Sequence, residues 1–412
     1  MAAVTTTQDT PAVLPERVLL PLGLGTALSL MGDATLYTVL PTHAAEAGIG
    51  LGAVGIMLGV NRAVRLFLNG PMGLAYDRLP RRYLLVPAFF VGVLSTAIYA
   101  LTRGFWPLLG ARLLWGLAWA GIWVGGNTVI LDVTGDDDRG RWTGLYQLWF
   151  FLGGSLGFFL GGVLTDLVGF HRTLEIGAAL TTVGALAVFL FLPETRETAR
   201  RTAETADPPE LTSVAPLTRH SKELWAAVLI QGVNRFAISG VMAATLALLL
   251  QARLGDQVRF NGLLLGIATL TGMLLASRTL LSMVAAPITG WLSDQLHSRW
   301  RVILVGLFAG VVGMALFAWG MPIAIVGGAL LSAIAGGSLQ ALATTLVGDL
   351  SLVARRGRAL GVLYTMGDLG SALGPPIAYA LIPLISLRGA YLGCAGLFAI
   401  TLLLSWRWES AS

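Results

Sequence analysis

Long apolar runs alternate with short polar breaks along nearly the whole chain. A helix that crosses a bilayer needs about 20 predominantly apolar residues. Twelve runs reach that scale: 18–42, 51–76, 83–102, 105–131, 143–165, 173–193, 224–250, 262–291, 302–319, 322–348, 359–383 and 389–406. They lack the strict two-residue alternation of a membrane β-barrel strand, so the pattern predicts helices. Most breaks are short. The longest, Glu194 to Glu223, holds Pro208, Pro209, several Thr and mixed charges, and it predicts a linker between two groups of six spans. The expected organisation is an N-terminal segment 1–17, a first bundle 18–193, a linker 194–223, a second bundle 224–406 and a tail 407–412.

Composition points the same way. The chain is 55% hydrophobic and 12% charged, whereas soluble domains carry about 25% charged residues. Lipid must therefore be the solvent for much of this surface. The expected fold class is an all-α, multi-pass integral membrane protein, in the cytoplasmic membrane if the source is bacterial. Assigned to the breaks, 17 Arg and Lys fall on the side of the two termini and 5 on the other, which predicts both termini inside. The net charge of +5 is accounted for by that asymmetry and calls for no nucleic-acid partner. Met1 to Arg17 lacks the apolar stretch and cleavage site of a signal peptide, so the first run is expected to stay as a helix.

Several chemistries are excluded. Cys394 is the only cysteine, so no internal disulfide or cysteine metal cluster forms. The only lysine is Lys222 and no Gly-x4-Gly-Lys-Ser/Thr loop occurs, which excludes ATP-driven work by this chain. The four histidines (His43, His171, His220, His297) are scattered through loops. No enzyme, metal site or organic cofactor is expected, and the partners are the bilayer and a small molecule bound by a monomer.

A second pattern divides the chain. Gly73 and Asp77 recur as Gly290 and Asp294, 217 residues later, and the same step links Arg82 to Arg299 and Asp132 to Asp349. It also links Arg139-Gly140-Arg141 to Arg356-Gly357-Arg358, and Gly144, Gly153 and Gly157 to Gly361, Gly370 and Gly374. A gap-free echo over about 85 residues reads as two related halves, as in many secondary transporters.

Twelve spans, a six-plus-six division and this loop resemble the major facilitator superfamily. The family's loop after its second helix, Gly-x-Leu-Ala-Asp-Arg-x-Gly-Arg-Lys, appears here as Gly73-Leu74-Ala75-Tyr76-Asp77-Arg78-Leu79-Pro80-Arg81-Arg82, with Pro80 in place of a glycine. The resemblance covers the chain after residue 17 and implies two pseudo-symmetric six-helix bundles working by alternating access. It implies a cytoplasmic gate of Gly73, Asp77, Arg78, Arg81, Arg82, Asp132 and Arg141, in which Arg81 pairs with Asp132. The second copy, Gly290, Asp294, Arg299 and Asp349, lacks a counterpart of Arg81 and is expected to be weaker. Helix 5 carries Gly144, Gly153, Gly157, Gly161 and Gly162, similar to the family's antiporter signature but with Phe158 for its proline; helix 11 carries Gly361, Gly370 and Gly374. These are expected to let helices approach closely, as small residues do in lipid.

Charges inside the spans are functional candidates, because a lone charge there costs at least ~2.5 kcal/mol. Asp33 lies about 13 Å and Arg112 roughly 10 Å from the same end of their helices at 1.5 Å per residue, so the two are within pairing range. Arg112 sits in Arg-x-x-x-Gly, ending at Gly116, which resembles a family sequence linked to proton coupling. Asp33, Arg112 and Asp368 form the expected proton-coupling set, the alternative being a permanent structural bridge. Arg62, Arg65 and Asn69 share one face of helix 2. With Asn234, Arg235, Arg278 and Gln340 they are candidate cavity residues, as are Trp115, Trp119 and Trp123 on one face of helix 4. Five mid-span arginines face two aspartates, leaving about three positive charges. The expected function is proton-coupled export of amphipathic compounds. Transport of organic anions or phosphorylated metabolites stands beside it, and a non-transporting sensor or scaffold is the reading from another class.

Overall fold

The computed structural model describes residues 13–135, 138–197, 221–260, 262–351 and 356–409. The N-terminal 1–12, most of the expected linker (198–220) and the last three residues of the tail lie outside them. The elements run α1 (Pro15–Val39), α2 (Leu51–Arg78), α3 (Arg81–Leu101), α4 (Phe105–Asp132), α5 (Arg139–Val168), α6 (Phe170–Phe191), α7 (Lys222–Leu254), β1 (Gln257–Phe260), β2 (Leu263–Gly266), α8 (Ile267–Gln295), α9 (Arg299–Trp319), α10 (Pro322–Leu350) and α11 (Arg356–Glu409). Among the described residues, 11 helices are long and apolar enough to cross a membrane.

Two features depart from the apolar pattern. The last two expected spans form one helix of 54 residues, interrupted at Ser386 by a non-helical φ of 61° and ψ of 170°. The break expected over 384–388 is condensed into a kink at a single non-helical residue. In addition, α8 begins at Ile267 rather than 262, because residues 257–266 form an antiparallel hairpin with Gln257 opposite Gly266. Gln257-Val258-Arg259-Phe260 alternates polar and apolar as a strand does, and Gly262 supplies the positive φ of the turn. Leu263, Leu264 and Leu265 are apolar enough to pass for the start of a helix, which is why composition misplaced them.

Within α7, Arg235–Met242 is a π-helix flanked by α-helix on both sides. Such segments loosen the backbone hydrogen-bond ladder and recur at functional sites.

α1 packs on α5 and α6, α2 on α4, and α3 on α4 and α6; α7 packs on α10 and α11, α8 on α10, and α9 on α10 and α11. The two groups meet along two main seams, α2 with α11 and α5 with α8. Each group has its own apolar core. A third core joins them at one end only: Leu36, Tyr37, Met57, Leu58, Leu108 and Phe170 pack with Ala244, Ala268 and Tyr379 of the other group. That end is opposite the one carrying Arg78–Arg82, Arg139 and Arg299, hereafter the arginine-rich end.

The glycines of α5 explain how α1 and α5 come so close. A Cβ on Gly157 would lie 2.7 Å from the Met31 Cα, and one on Gly161 would lie 2.8 Å from the Thr35 Cβ. Gly153 stands in the same relation to the Ala27 backbone. Thr35 reinforces the contact by donating to the Gly157 carbonyl at 3.2 Å.

Candidate functional site

Midway along the helices, charged side chains of both groups converge. Arg112 on α4 is 1% exposed and donates to Asp33 of α1 at 2.5 Å. Its Nε donates to the Met57 carbonyl of α2 at 2.6 Å, so one guanidinium ties three helices. Gly116 makes the arrangement possible, since a Cβ there would lie 2.7 Å from the Asn61 carbonyl oxygen. The rings of Tyr37 and Tyr99 flank Arg112 at 5.8 and 5.9 Å.

A second ion pair crosses between the groups: Arg65 of α2 meets Asp368 of α11. Next to it, Arg62 donates to the backbone carbonyls of Ser239 at 2.7 Å and Ser371 at 3.2 Å, and lies 5.0 Å over the Tyr37 ring. Ser239 is in the π segment, so the irregular stretch of α7 offers Arg62 a carbonyl from the other group. Arg235, the first residue of that segment, donates to the Ser239 hydroxyl at 3.3 Å.

In the second group, Arg278 of α8 lies against Gly336 of α10, where a Cβ would come within 2.8 Å of its Nη2. Its Nε is buried without a hydrogen-bond partner. Asn234 donates to the Gly336 carbonyl at 3.4 Å, while its Oδ1 and the Gln231 Oε1 are buried and unpartnered. Gln340, on the next turn of α10, is exposed. Of the five arginines, Arg112 and Arg65 have carboxylate partners; Arg62, Arg235 and Arg278 have none among the described ion pairs.

Trp115 and Trp119 of α4 are 1% and 5% exposed and buried in the first group's core, while Trp123 is half-buried. They stack in series, Trp115 on Trp119 at 6.0 Å and Trp119 on Trp123 at 5.9 Å, and Trp123 continues to Phe150 of α5 at 5.0 Å. The helical spacing that puts them on one face says nothing about which neighbour that face meets; here it meets α3 and α5.

At the arginine-rich end, the Arg81 Nε donates to the Asp132 Oδ2 at 2.8 Å and its Nη2 to the Oδ1 at 3.3 Å. Both side chains are nearly buried. Two residues of Leu192-Pro193-Glu194-Thr195-Arg196, a run that resembles the family's exit from its first half and for which no gate role is expected, complete this cluster. The Thr195 hydroxyl donates to the Asp132 Oδ2 at 2.8 Å. The Glu194 carboxylate accepts from the backbone N–H groups of Arg81 and Arg82, both at 3.0 Å, capping α3, whose own N-cap is Pro80. The signal lay in Pro193-Glu194-Thr195, an acid and a hydroxyl just past a helix end. Arg82 donates to the Phe189 carbonyl and stands 5.8 Å over that ring. Arg141 covers Trp142 at 5.5 Å. Asp77 and Arg78 are exposed.

The second group builds its version one residue out of step. Arg299, the counterpart of Arg82 rather than of Arg81, pairs with Asp294 and, at 3.2 Å, with Asp349. The side chains of Asp294 and Asp349 are 65% and 54% exposed, so these pairs are far more screened than Arg81 with Asp132.

The two ends of the seams differ sharply. Away from the arginine-rich end, a Cβ on Gly55 would lie 2.7 Å from the Pro375 carbonyl oxygen and one on Gly59 2.9 Å from the Pro376 Cδ. Gly162 lies against the Ala268 backbone and Gly272 against that of Phe158. At the arginine-rich end, a Cβ on Gly73, Gly144, Gly290 or Gly361 would meet nothing within 4 Å. The close approach expected at Gly73, Gly144 and Gly361 is therefore absent here, because no neighbouring helix comes within contact of these positions. Gly370 and Gly374 do pack, but against α7 of their own group.

A sequence model described as Major Facilitator Superfamily matches residues 22–280 and again 224–412. The chain belongs to the Major Facilitator Superfamily. Among its relatives in the superfamily, major facilitator superfamily domain-containing protein 10 of Mus musculus is 25% identical over 381 residues, 86% of this chain and 78% of that protein. The class C tetracycline resistance protein of Escherichia coli is 24% identical over 332 residues, 79% of each chain. The crystal structure of the human organic anion transporter MFSD10 (TETRAN) superposes with a TM-score of 0.64 at 19% identity, covering 95% of this chain and 99% of that one. Like these superfamily members, the chain is an integral multi-pass membrane transporter and not an enzyme.

Proposed function

We propose that this transporter carries organic anions by alternating access coupled to protons, and that the conformation described is open to the cytoplasm. The observation that carries the anion reading is the set Arg62, Arg235 and Arg278: three guanidinium groups at mid-membrane depth, contributed by both halves, with no carboxylate partner among the described ion pairs. Uncompensated charge there is costly, and an anionic substrate supplies the missing counter-charge in a geometry that guanidinium suits. The organic anion transport stated for human MFSD10 agrees with this. The buried Trp115 and Trp119 withdraw the aromatic face on which an amphipathic substrate would have rested.

The topology follows from length and charge. A helix of 54 residues extends about 80 Å at 1.5 Å per residue, far beyond the ~30 Å of a bilayer core, so α11 crosses twice and turns at Ser386. That makes twelve spans in two halves of six. The arginine excess puts the arginine-rich end and both termini in the cytoplasm.

In the coupling scheme, Asp33 and Asp368 are the proton-carrying groups, and their pairs with Arg112 and Arg65 are the contacts that the cycle breaks and remakes. The Arg65–Asp368 pair spans the moving seam. Parting α2 from α11 separates Asp368 from its guanidinium, and rejoining them restores the pair, so movement of the seam and the state of this carboxylate are linked through one contact. Anion binding beside Arg62 and Arg235 alters the same field.

A second reading, proton-coupled export of amphipathic compounds, is favoured by the tetracycline resistance relative. One assay separates the two: protein reconstituted in liposomes under an imposed pH gradient, offered labelled organic anions and cations. Gradient-driven anion flux is expected, reduced at least about tenfold in Arg235→Ala and in Arg278→Ala, with Asp33→Asn retaining binding but losing the response to the gradient. Undiminished anion flux in both arginine variants overturns the anion site, and cation flux alone favours the second reading. Full gradient response in Asp33→Asn removes that residue from coupling.

A further inference from the structure

A carboxylate outside the charged centre bridges the two halves at their closed end. Asp166 lies two residues before the end of α5. Its Oδ2 accepts from the backbone N–H of Thr269 at 2.7 Å and from the Thr269 hydroxyl at 2.6 Å. Thr269 is the third residue of α8, whose own N-cap is Gly266 and offers no side-chain cap. An N-cap side chain ordinarily accepts from the N–H of the second or third residue of its helix, so Asp166 performs this task for α8 from across the seam. Gly266 makes room for it: a Cβ there would overlap the Asp166 carboxylate.

Helix electrostatics strengthen the case. A negative charge in the last turn of a helix is disfavoured on that helix, and one at a helix N-terminus is favoured. Asp166 is thus poorly placed on α5 and well placed on α8. Asp77, in the last turn of α2, is equally ill-placed on its own helix, but it stands exposed at the open end. The two carboxylates occupy opposite ends of the molecule, and the one at the closed end is engaged.

We infer that Asp166 is the latch of the outer gate, a carboxylate of the first half that caps α8 of the second and holds that end shut. The contact is strong enough to bias the closed state and weak enough to release. It is solvent-exposed and forms one wall of an open cleft of about 440 Å³ whose lining includes Phe159, Val163, Asp256 and Met273. Water therefore competes for both partners whenever the seam parts. This role depends on neither the substrate nor the coupling ion.

The test uses thiol accessibility on the full chain in liposomes. The only native thiol, Cys394, is 2% exposed, which gives a quiet background. Ala372→Cys places a reporter on the other seam, at a site 5% exposed and opposite Gly59. Its labelling by a membrane-impermeant maleimide from outside reports opening of the whole gate. Asp166→Ala is expected to raise the labelling rate about tenfold, equivalent to about 1.4 kcal/mol and within the range of a lost cap. Gly266→Ala, which displaces the carboxylate while leaving it present, is expected to do the same, and Thr269→Val to do so less. Asp256→Ala, at the other acid of the cleft, is expected to change nothing. Unchanged labelling in folded Asp166→Ala overturns the latch, as does an equal rise in Asp256→Ala, which would mark a general charge effect. If Asp166→Ala fails to fold, Gly266→Ala decides by the same two outcomes.

Discussion

The α2–α11 and α5–α8 seams carry glycines at both ends, and the two ends treat them in opposite ways. At the closed end Gly55, Gly59, Gly162 and Gly272 meet backbone or proline atoms of the other half so closely that a methyl group has no place. At the arginine-rich end a Cβ on Gly73, Gly144, Gly290 or Gly361 would meet nothing within 4 Å. A glycine inside a helix costs about 1 kcal/mol relative to alanine, and at the closed end tight contact offsets that cost. At the other end nothing in this conformation does. We read the open-end glycines as contact points of the alternate arrangement, in which the arginine-rich end closes and the now-closed end parts.

The largest effect that tests this contrast comes from filling one glycine at each end. Gly162→Val is expected to abolish measurable flux in liposomes and to lower thermal stability in detergent, because the α5–α8 seam cannot shut at the closed end. Gly73→Val is expected to keep the parental melting temperature while losing at least about tenfold in flux, the penalty falling only on the state that brings α2 against its neighbour. A fully active Gly73→Val would end the idea that the two ends exchange roles.

Next in size is the centre, which both arrangements share. Arg112→Ala leaves the part-buried Asp33 without its partner and is expected to cost about 3 kcal/mol of stability, the low end for breaking a buried pair. Adding Asp33→Asn to it is expected to recover part of that loss, read as a rise in melting temperature over the single variant. If the double variant is no more stable, the pair is not what holds α1, α2 and α4 together.

The smallest effects compare the two clusters at the arginine-rich end. Arg81→Ala removes the nearly buried partner of Asp132 and is expected to cost roughly 2–3 kcal/mol. Arg299→Ala disturbs exposed pairs and is expected to cost under about 1 kcal/mol. Equal losses in a melting experiment would show that burial does not separate the two copies.

Much of this was legible in the residues themselves. Apolar runs located most helix ends within about four residues, because lipid dictates both length and composition. Counting residues from helix ends brought Asp33 and Arg112 to one depth, and they are in contact. What sequence could not give was facing and partnership. The tryptophans of α4 occupy one face as their spacing requires, but only packing decides that the face meets α3 and α5. Glu194, Thr195 and Asp166 act by reaching distant helix ends or carboxylates, and no local pattern announces a cap supplied across 103 residues. The hairpin at 257–266 was hidden because three consecutive leucines suit a strand as well as a helix.

The π segment of α7 has a consequence for how the chain tolerates change in length. Its eight residues are wound more loosely than the α-helix on either side, so the segment holds a surplus residue in register with its surroundings. An α-helix turns about 100° per residue. Deleting one residue from either α-helical flank would therefore rotate one part of α7 against the other, carrying Arg235 or the Ser239 carbonyl off its present bearing, whereas deleting the surplus residue would leave both flanks in phase. A loop absorbs such a loss by tightening. Here the helix is keyed like a shaft in its slot, and the position of a guanidinium in the cavity is set by a residue count.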